Sequence, residues 1–374
     1  MTNVLAYSEA WGQGGIEAFV MNVVRAVQGQ DLSFDICSTW DWSDSYDKEL
    51  EEARVHRFSL FKGEKLGQVT RLVKGVSFFT DRLKARHYDA VWINTMNGMG
   101  FSYAKAAERL GVPVRVVHAH SADVGVGASG VKRLVSSLGS SLYGGCSTRN
   151  LACSQAAGRF LFGERPFEVV NNGIDTERFA FCEASRKTVR DELGIGDAVL
   201  LGNIGRMRPE KNPLFQIEVF AEYKKINGNS KYLMVGKPDM ADEILALASR
   251  RGVDGDVIIH DPVENVAPFY SALDAMLMPS IVEGLGIVQV EAQCASLPVL
   301  STDSLPEEAR VTQLAQVCSL EQGPRVWAER LDRLVGEYEG GRSRSYAEIV
   351  ADKGYSFRAA GETMSAILRD SLLK

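Results

Sequence analysis

Two carboxylates flank a glycine turn in the stretch Pro279–Asp303, PSIVEGLGIVQVEAQCASLPVLSTD, where a buried strand is predicted to pass into a helix. Glu283 lies in the turn, and Glu291 lies eight residues later in the predicted helix. Gly284 and Gly286 bare backbone N–H groups at the helix start, and such groups attract anions. A phosphate bound there would repel Glu283, so we expect Glu283 to bind sugar hydroxyls and Glu291 to bind a ribose diol. The alternative is that Glu283 only supports the helix terminus and Glu291 is a solvated helix residue.

Two cations follow a strand predicted at Val199–Ile204, in the stretch GNIGRMRPEKNP. Arg206 comes directly after the glycine that ends the strand, and Lys211 comes five residues later. Ligands of open α/β sheets bind at the carboxyl ends of strands, where a guanidinium and an ammonium can hold a diphosphate. The alternative is a solvated basic loop.

A third glycine turn lies near the start of the chain, in LAYSEAWGQGGIEAFVMNVV. Gly14 and Gly15 allow a ligand to approach the backbone closely, and the start of the following helix attracts an anion. A plain strand-to-helix turn is the alternative. The stretch lacks the G-x-G-x-x-G pattern and the chain lacks a P-loop, which disfavours hydride transfer and ATPase chemistry.

Two other patterns raise the question of a metal. His118 and His120 form a His-x-His pair at the end of a predicted strand, but no further cluster of metal-ligating residues accompanies the pair. Asp254 and Asp256 form Asp-Gly-Asp before another strand, where Asp-Gly is an ordinary turn signal. We therefore predict no metal site.

The elements that position these residues alternate along the chain. A length of 374 residues favours two domains, and a composition of 45% apolar and 24% charged residues is typical of a soluble globular protein. Short β-branched runs alternate with amphipathic segments, as in doubly wound α/β domains with parallel sheets. The helical patterns are Gly15–Val27, Tyr103–Leu110, Pro213–Lys225, Ala241–Arg251 and Ile287–Cys294. Gly163 and Pro166 mark a boundary, which predicts domains over 1–165 and 166–353 and a helix over 354–374.

The net charge and the cysteine content limit the cellular location and the partners that we expect for this chain. The formal net charge of −6 disfavours nucleic-acid binding. The six cysteines show no C-x-x-C spacing and resemble small buried apolar residues of a reducing compartment. The start of the chain lacks a signal-peptide pattern and no run of about 18 apolar residues occurs, so we expect a cytoplasmic protein.

Residues 61–88 carry seven Lys or Arg against two acids. Their apolar residues recur at helical spacing: Val69, Leu72, Val73, Val76 and Phe79. Such a helix can lie on an anionic membrane, and it can equally cover a sheet with a solvated basic face. We keep peripheral contact with the inner face of the plasma membrane as a hypothesis.

Taken together, GRMRPEKN and PSIVEGLGIVQVEAQCASLPVLSTD resemble the family 4 retaining glycosyltransferases. Their signature of two glutamates separated by seven residues is met by Glu283 and Glu291. GGIEAFVMNVV, VVHAHS and VVNNGIDTERF also match, so the resemblance covers nearly the whole chain. It implies the GT-B fold, in which two Rossmann-like domains face each other across a cleft and a C-terminal helix packs back on the first. Bacterial enzymes of exopolysaccharide and capsule assembly are the most similar members.

The resemblance also implies a role for each site residue of the second domain. Arg206 and Lys211 would bind the donor diphosphate, Glu291 the nucleotide ribose, and Glu283 the donor sugar near O3 or O4. The backbone of Leu285 and Gly286, next to Gly284, would help to bind the phosphates and the sugar. The loop from His260 to Val263 would face the nucleobase. Where many members have Gly-x-Gly, this chain has Gly236-Lys237-Pro238, which puts the contacts to the base in doubt.

In the first domain, the resemblance implies that Gly14 and Gly15 close against the diphosphate. A histidine at the end of the mid-domain strand would lie beside the donor sugar. His120 is the candidate, with His118 in reserve because it better suits a core position. Asp123 is a candidate acid facing the acceptor.

The predicted reaction is transfer of a sugar from a nucleotide sugar, a UDP-sugar by preference, to a glycan or polyprenyl-linked acceptor. The resemblance implies retention at the anomeric carbon by front-face displacement, without a metal or a further cofactor. One rival hypothesis is a nucleotide-sugar epimerase of similar fold. The other is a non-catalytic sugar-nucleotide-binding partner of a polysaccharide assembly complex.

Overall fold

The structure, a computed structural model, describes residues 1–12, 14–63, 67–124, 130–338 and 341–370. It divides the chain into two compact units, one formed by residues 1–174 and 356 onward, the other by residues 175–355. The boundary between the first and second units lies after Ile174 rather than after residue 165, because residues 168–169 add a strand to the sheet of the first unit.

The first unit is a seven-stranded parallel sheet in the order β3-β2-β1-β4-β5-β6-β7. Its strands are β1 Thr2–Trp11, β2 Leu32–Asp41, β3 His56–Lys62, β4 Ala90–Thr95, β5 Val114–Ala119, β6 Arg149–Ala152 and β7 Glu168–Val169. Its first helices are α1 Gly15–Ala26, α2 Asp47–Glu52, α3 Gln68–Ala85, α4 Phe101–Arg109, α5 Gly130–Tyr143 and α6 Gln155–Phe162. The central strands β4 and β5 are buried along nearly their whole length because helices cover both faces of a doubly wound sheet.

The second unit is a six-stranded parallel sheet in the order β10-β9-β8-β11-β12-β13. Its strands are β8 Val199–Ile204, β9 Ser230–Val235, β10 Val257–His260, β11 Ala275–Met278, β12 Val299–Ser301 and β13 Ala315–Val317. Its helices are α7 Thr176–Phe179, α8 Glu183–Glu192, α9 Pro213–Ile226, α10 Ala241–Arg251, α11 Ala267–Ala272, α12 Ile287–Cys294, α13 Gly323–Glu337 and α14 Ser345–Val350.

The last helix, α15 (Phe357–Asp370), belongs to the first unit and packs along α1. Its Ala360, Met364 and Leu368 lie in the core cluster with the apolar face of α1. A side chain at Gly361 would come within 2.2 Å of Cβ of Ala26, so glycine is what lets the two helices approach this closely.

Helix α3 covers the first sheet. Phe79 is fully buried, and its ring makes edge contacts with Tyr7 at 5.7 Å and with Tyr103 at 5.3 Å. Val73 is 63% exposed. The apolar stripe predicted for residues 61–88 is therefore divided between the core and the surface; residues 64–66 of that segment lie outside the described part of the chain.

Candidate active site

The loops after β8 and β9 pass each other at backbone distance. Gly205 and Gly236 have φ of 146° and 140°, and a Cβ on Gly236 would lie 2.3 Å from the carbonyl oxygen of Gly205. Only glycine suits such a crossing. The N–H of Met207 then donates to the carbonyl of Lys237 at 2.9 Å, which ties the two loops together.

This crossing gathers three cations around one carboxylate, Asp239. Its Oδ2 lies 3.0 Å from Nε of Arg208 and 3.4 Å from Nη2 of Arg206, and its Oδ1 lies 3.7 Å from Nζ of Lys237. Burial works to raise the pKa of Asp239, but the hydrogen bond from Arg208 and the charge of Arg206 outweigh it and the pKa falls. Burial lowers the pKa of Arg206, which nevertheless stays charged. The sequence interpretation missed Asp239, whose place in a turn-rich loop carries no local signal.

Lys211 and Glu283 form an ion pair between the loops after β8 and β11. Oε1 of Glu283 also accepts a hydrogen bond from Oγ of Ser280 at 2.9 Å. The N–H of Ile281 donates to the carbonyl of Glu210 at 2.8 Å, which holds the two loops in register. Glu283 has only a tenth of its side-chain surface exposed, so the pair is largely desolvated. The structure thus brings these two predicted residues together.

Glu291 lies on α12 and faces Tyr270 of α11. The Tyr270 hydroxyl donates to Oε2 of Glu291 at 2.6 Å, and the Tyr270 ring packs edge-on against Phe179 at 5.7 Å. Burial raises the pKa of the Glu291 carboxyl, while the hydrogen bond from Tyr270 acts in the opposite direction. Glu291 is therefore partnered rather than solvated. Its partner Tyr270 went unrecognised in the sequence because a tyrosine in an apolar helix reads as core.

The turn between the glutamates closes on Gly286, which has a left-handed φ of 79° directly before α12. Leu285 is buried, and the carbonyl of Gly286 accepts from the N–H of Gln289 at 2.8 Å.

At the end of β10, Nδ1 of His260 lies 2.8 Å from the carbonyl oxygen of Asp261. The His260 ring meets Phe269 at 4.9 Å. Val263 is half-buried in the same loop.

In the first unit, the two histidines at the end of β5 are neutral. Their rings lie 4.2 Å apart, and Nε2 of His120 lies 2.8 Å from Oδ1 of Asn94. Burial lowers the pKa of His120 to about 3. Burial also lowers the pKa of His118, which is fully enclosed in the core beside Trp92.

Helix α1 starts at Gly15, with Gly14 as its N-cap. A Cβ on Gly14 would lie 2.2 Å from Oε2 of Glu17, so a carboxylate occupies the helix start where we expected an anion. Asp123 has its Oδ2 3.8 Å from Nη2 of Arg133.

Metal-binding clusters of three or more His, Cys, Asp or Glu side chains do not occur among the residues that the structure describes. In the Asp-Gly-Asp stretch, Asp256 pairs with Lys224 at 2.7 Å. Within the same described ranges, none of the helices has the length and apolar character needed to cross a bilayer.

Comparison with known proteins agrees with this architecture. Residues 13–178 match the family described as Glycosyltransferase Family 4, and residues 185–340 match Glycosyl transferases group 1. The chain is 29% identical to EpsF of Bacillus subtilis, a glycosyltransferase by name, over 98% of this chain and 95% of that protein. It is 27% identical to the D-inositol 3-phosphate glycosyltransferase of Segniliparus rotundus, over 55% of this chain and 47% of that protein.

A solved structure shares the fold over the whole length. The crystal structure of Anabaena HepE in complex with UDP and glucose superposes with a TM-score of 0.79 at 16% identity, covering 99% of this chain and 100% of that one. Two successive family matches, which together span most of the chain, and two parallel α/β sheets with the connectivity described above lead to one conclusion. The chain belongs to the family 4 glycosyltransferases and has the GT-B fold.

Proposed function

We propose that this glycosyltransferase moves a sugar, with retention at the anomeric carbon, from a UDP-sugar to a glycan or polyprenyl-linked acceptor of an exopolysaccharide or capsule. The observation that carries the proposal is the arrangement of Arg206, Lys211 and Glu283 at the carboxyl ends of β8 and β11. Cations at strand ends suit a diphosphate, and a desolvated carboxylate beside them suits sugar hydroxyls. HepE, which shares the fold, binds UDP and glucose.

Lys211 is able to serve both partners. An ammonium has three N–H donors, so it can keep its contact with Glu283 and still donate to a diphosphate oxygen. Arg206 adds a guanidinium nearby, and Asp239 holds its orientation. Together the two cations stabilise the negative charge that develops on the leaving UDP, which is the role a metal ion plays in other transferases.

Glu283 orients the donor sugar. Its contacts with Lys211 and Ser280 both use Oε1, and no donor in the described ranges of the chain contacts Oε2. We assign Oε2 to a hydroxyl at O3 or O4 of the sugar. Glu291, fixed by Tyr270, accepts from the ribose hydroxyls. The backbone from Gly284 to Gly286 supports the phosphates, and the loop from His260 to Val263 faces uracil.

In the first unit, neutral His120 is the proposed contact to the donor sugar. A pKa of about 3 makes it a hydrogen-bonding group rather than a cation at physiological pH. Gly14 and Gly15 remain candidates for the diphosphate, with the condition that Glu17 withdraws from the helix start. The protein is proposed to act in the cytoplasm, in contact with an anionic membrane through residues 61–88.

The test begins with a thermal-shift screen of UDP- and GDP-sugars, followed by an assay of UDP release with and without acceptor extracts. Glu283→Gln should lower turnover about a hundredfold or more while UDP still binds. Arg206→Ala should weaken UDP binding roughly tenfold to a hundredfold. Wild-type turnover in Glu283→Gln would remove Glu283 from the site.

Three further measurements address the finer points. Carbon-13 and proton spectra of the product give the anomeric configuration, and inversion would refute a retaining reaction. Turnover that persists in a chelator supports a metal-independent reaction, and its loss would refute one. Conversion of the donor to an epimer without acceptor would point to an epimerase instead.

A further inference from the structure

Helix α5 presents apolar side chains to solvent. Leu134, Leu138 and Leu142 recur every four residues and are 60%, 47% and 67% exposed, with Val135 beside them. Residues four apart lie on one face of a helix, so the leucines form a continuous stripe over about two turns. In most soluble proteins, exposed leucines are scattered singly, and a stripe of this kind marks an interaction surface.

The surroundings of this stripe are cationic. From residue 130 to residue 163 the chain contains four Lys or Arg and no Asp or Glu. Arg133 keeps more than half of its side-chain surface exposed at the start of α5, although its Nη2 lies 3.8 Å from Oδ2 of Asp123. Arg149 pairs with Glu168 at 3.0 Å, and Arg159 is exposed on α6. The guanidinium of Arg165 stacks on Phe101 at 4.9 Å and donates to the carbonyl of Phe162 at 3.2 Å. A partner for this surface should therefore be apolar at its centre and anionic around it.

A groove runs between α5 and α6 beside the stripe. It encloses about 700 Å³ and is lined by Arg133, Arg165 and the hydroxyl groups of serines on α5, among them Ser137 and Ser141. Guanidinium and hydroxyl donors suit the phosphate and glycerol groups of a lipid head.

From these observations we propose that the outer face of α5 inserts its leucines into an anionic membrane, with the arginines at the level of the lipid phosphates. Amphipathic helices with leucines on one side and cations along their border bind membranes in this way. The inference deepens the proposed function and rests on it, because a polyprenyl-linked acceptor resides in the membrane.

A bilayer fits this surface better than a second copy of the chain. The same face of a second copy would bring leucines but also the same cations, with no carboxylate in α5 to meet them. The basic segment 61–88 adds to the argument, because α3 packs on α4 and α4 packs on α5. The exposed Lys74 on α3 thus belongs to the same row of helices and supplies further positive charge.

The test uses the full chain and sedimentation with vesicles of phosphatidylcholine, with or without phosphatidylglycerol. The wild type should partition to the anionic vesicles. The double variant Leu138→Gln/Leu142→Gln keeps a good helix former at both exposed positions and should bind roughly tenfold or more weakly. The matched control is Leu245→Gln, a leucine 44% exposed on α10 of the second unit, which should bind like the wild type.

Each outcome decides the inference. Loss of vesicle binding in the α5 double variant, with binding kept in the control, supports it. Equal binding by the double variant and wild type overturns it, as does a wild type without preference for anionic vesicles. A dimer in size-exclusion chromatography that the double variant converts to a monomer would overturn it in favour of self-association. UDP release from a soluble donor, which should be unchanged in the double variant, reports separately on the proposed function.

Discussion

Replacing Tyr270 by Phe removes one hydroxyl from the buried pair with Glu291. The ring and its edge contact with Phe179 remain, so the change deletes a hydrogen bond without opening a cavity. Hydrogen bonds to charged groups stabilise by about 1.5–3 kcal/mol, against about 0.5–1.5 kcal/mol for neutral pairs. Because Tyr270 is fully buried, few waters can replace its hydroxyl, and we expect a loss of unfolding free energy of about 2–3 kcal/mol near neutral pH.

The loss should depend on pH, with a sign that follows from the pKa of Glu291. Burial raises the pKa of Glu291 in the folded chain above its unfolded value of about 4.3. The folded chain therefore holds the proton more tightly, and the stability that this contributes is complete below the unfolded pKa and is lost as the pH rises through the pKa of the folded chain. The tyrosine hydrogen bond opposes this shift, so Tyr270→Phe raises the pKa of Glu291 further. The deficit of the variant should therefore be small at about pH 4 and largest above neutrality.

Urea unfolding at about pH 4 and about pH 7.5 measures both quantities, using Tyr270→Phe, Glu291→Gln and the double variant. The coupling energy from this cycle should be at least about 1.5 kcal/mol at the higher pH. Tyr232→Phe is the matched control, because its hydroxyl donates to the uncharged amide of Gln216 at 2.9 Å and its loss should not depend on pH. A coupling below about 0.5 kcal/mol, or an equal deficit at both pH values, would show that Tyr270 does not hold an ionised Glu291.

Three further predictions concern the other parts of the site. Lys211→Met leaves the desolvated Glu283 without its cation and should lower the unfolding free energy by about 1–3 kcal/mol. The double variant Lys211→Met/Glu283→Gln should restore part of this loss, and urea unfolding would refute the reasoning if the double variant were less stable than Lys211→Met. Gly236→Ala forces a Cβ against a carbonyl at positive φ and should cost about 1–3 kcal/mol by thermal unfolding, whereas Gly255→Ala, which faces open space, should cost less than about 1 kcal/mol. His120 should stay neutral in proton NMR from about pH 8 down to about pH 5, since its pKa is about 3. Its contribution to the unfolding free energy is complete above the ordinary histidine pKa of 6.5 and falls as the pH drops below that value, because the unfolded chain then binds the proton. A His120 titration near neutrality would contradict its burial.

The sequence predicted the elements that carry strong periodicity. The helix expected at Ala241–Arg251 has those bounds, and the helix expected at Ile287–Cys294 does as well. Each lies between glycine or loop signals, so local chemistry defines its ends. Strand β13 (Ala315–Val317) and helix α5 were not predicted. Three residues are too short for a recognisable alternation, and the exposed leucines of α5 blur the apolar pattern of a core-facing helix.

The candidate site was predictable in its residues but not in its pairings. Arg206, Lys211, Glu283 and Glu291 could be named because strand ends and glycine turns mark where ligands bind in α/β sheets. Their partners come from other loops, brought near by the order of the strands. The contact of Arg206 with Asp239 depends on a crossing of two loops that no local spacing encodes. The ligand roles of these residues stay predictions until nucleotide binding is measured.

The return of α15 to the first unit also has a consequence for synthesis. The second unit is one continuous segment of the chain, whereas the first unit is completed only when α15, which follows the second unit, has been made. The first unit, although its sheet is translated first, must wait with the apolar face of α1 uncovered until Ala360, Met364 and Leu368 arrive. A chain truncated before residue 356 should therefore expose that face to chaperones, although all residues of its second unit are present.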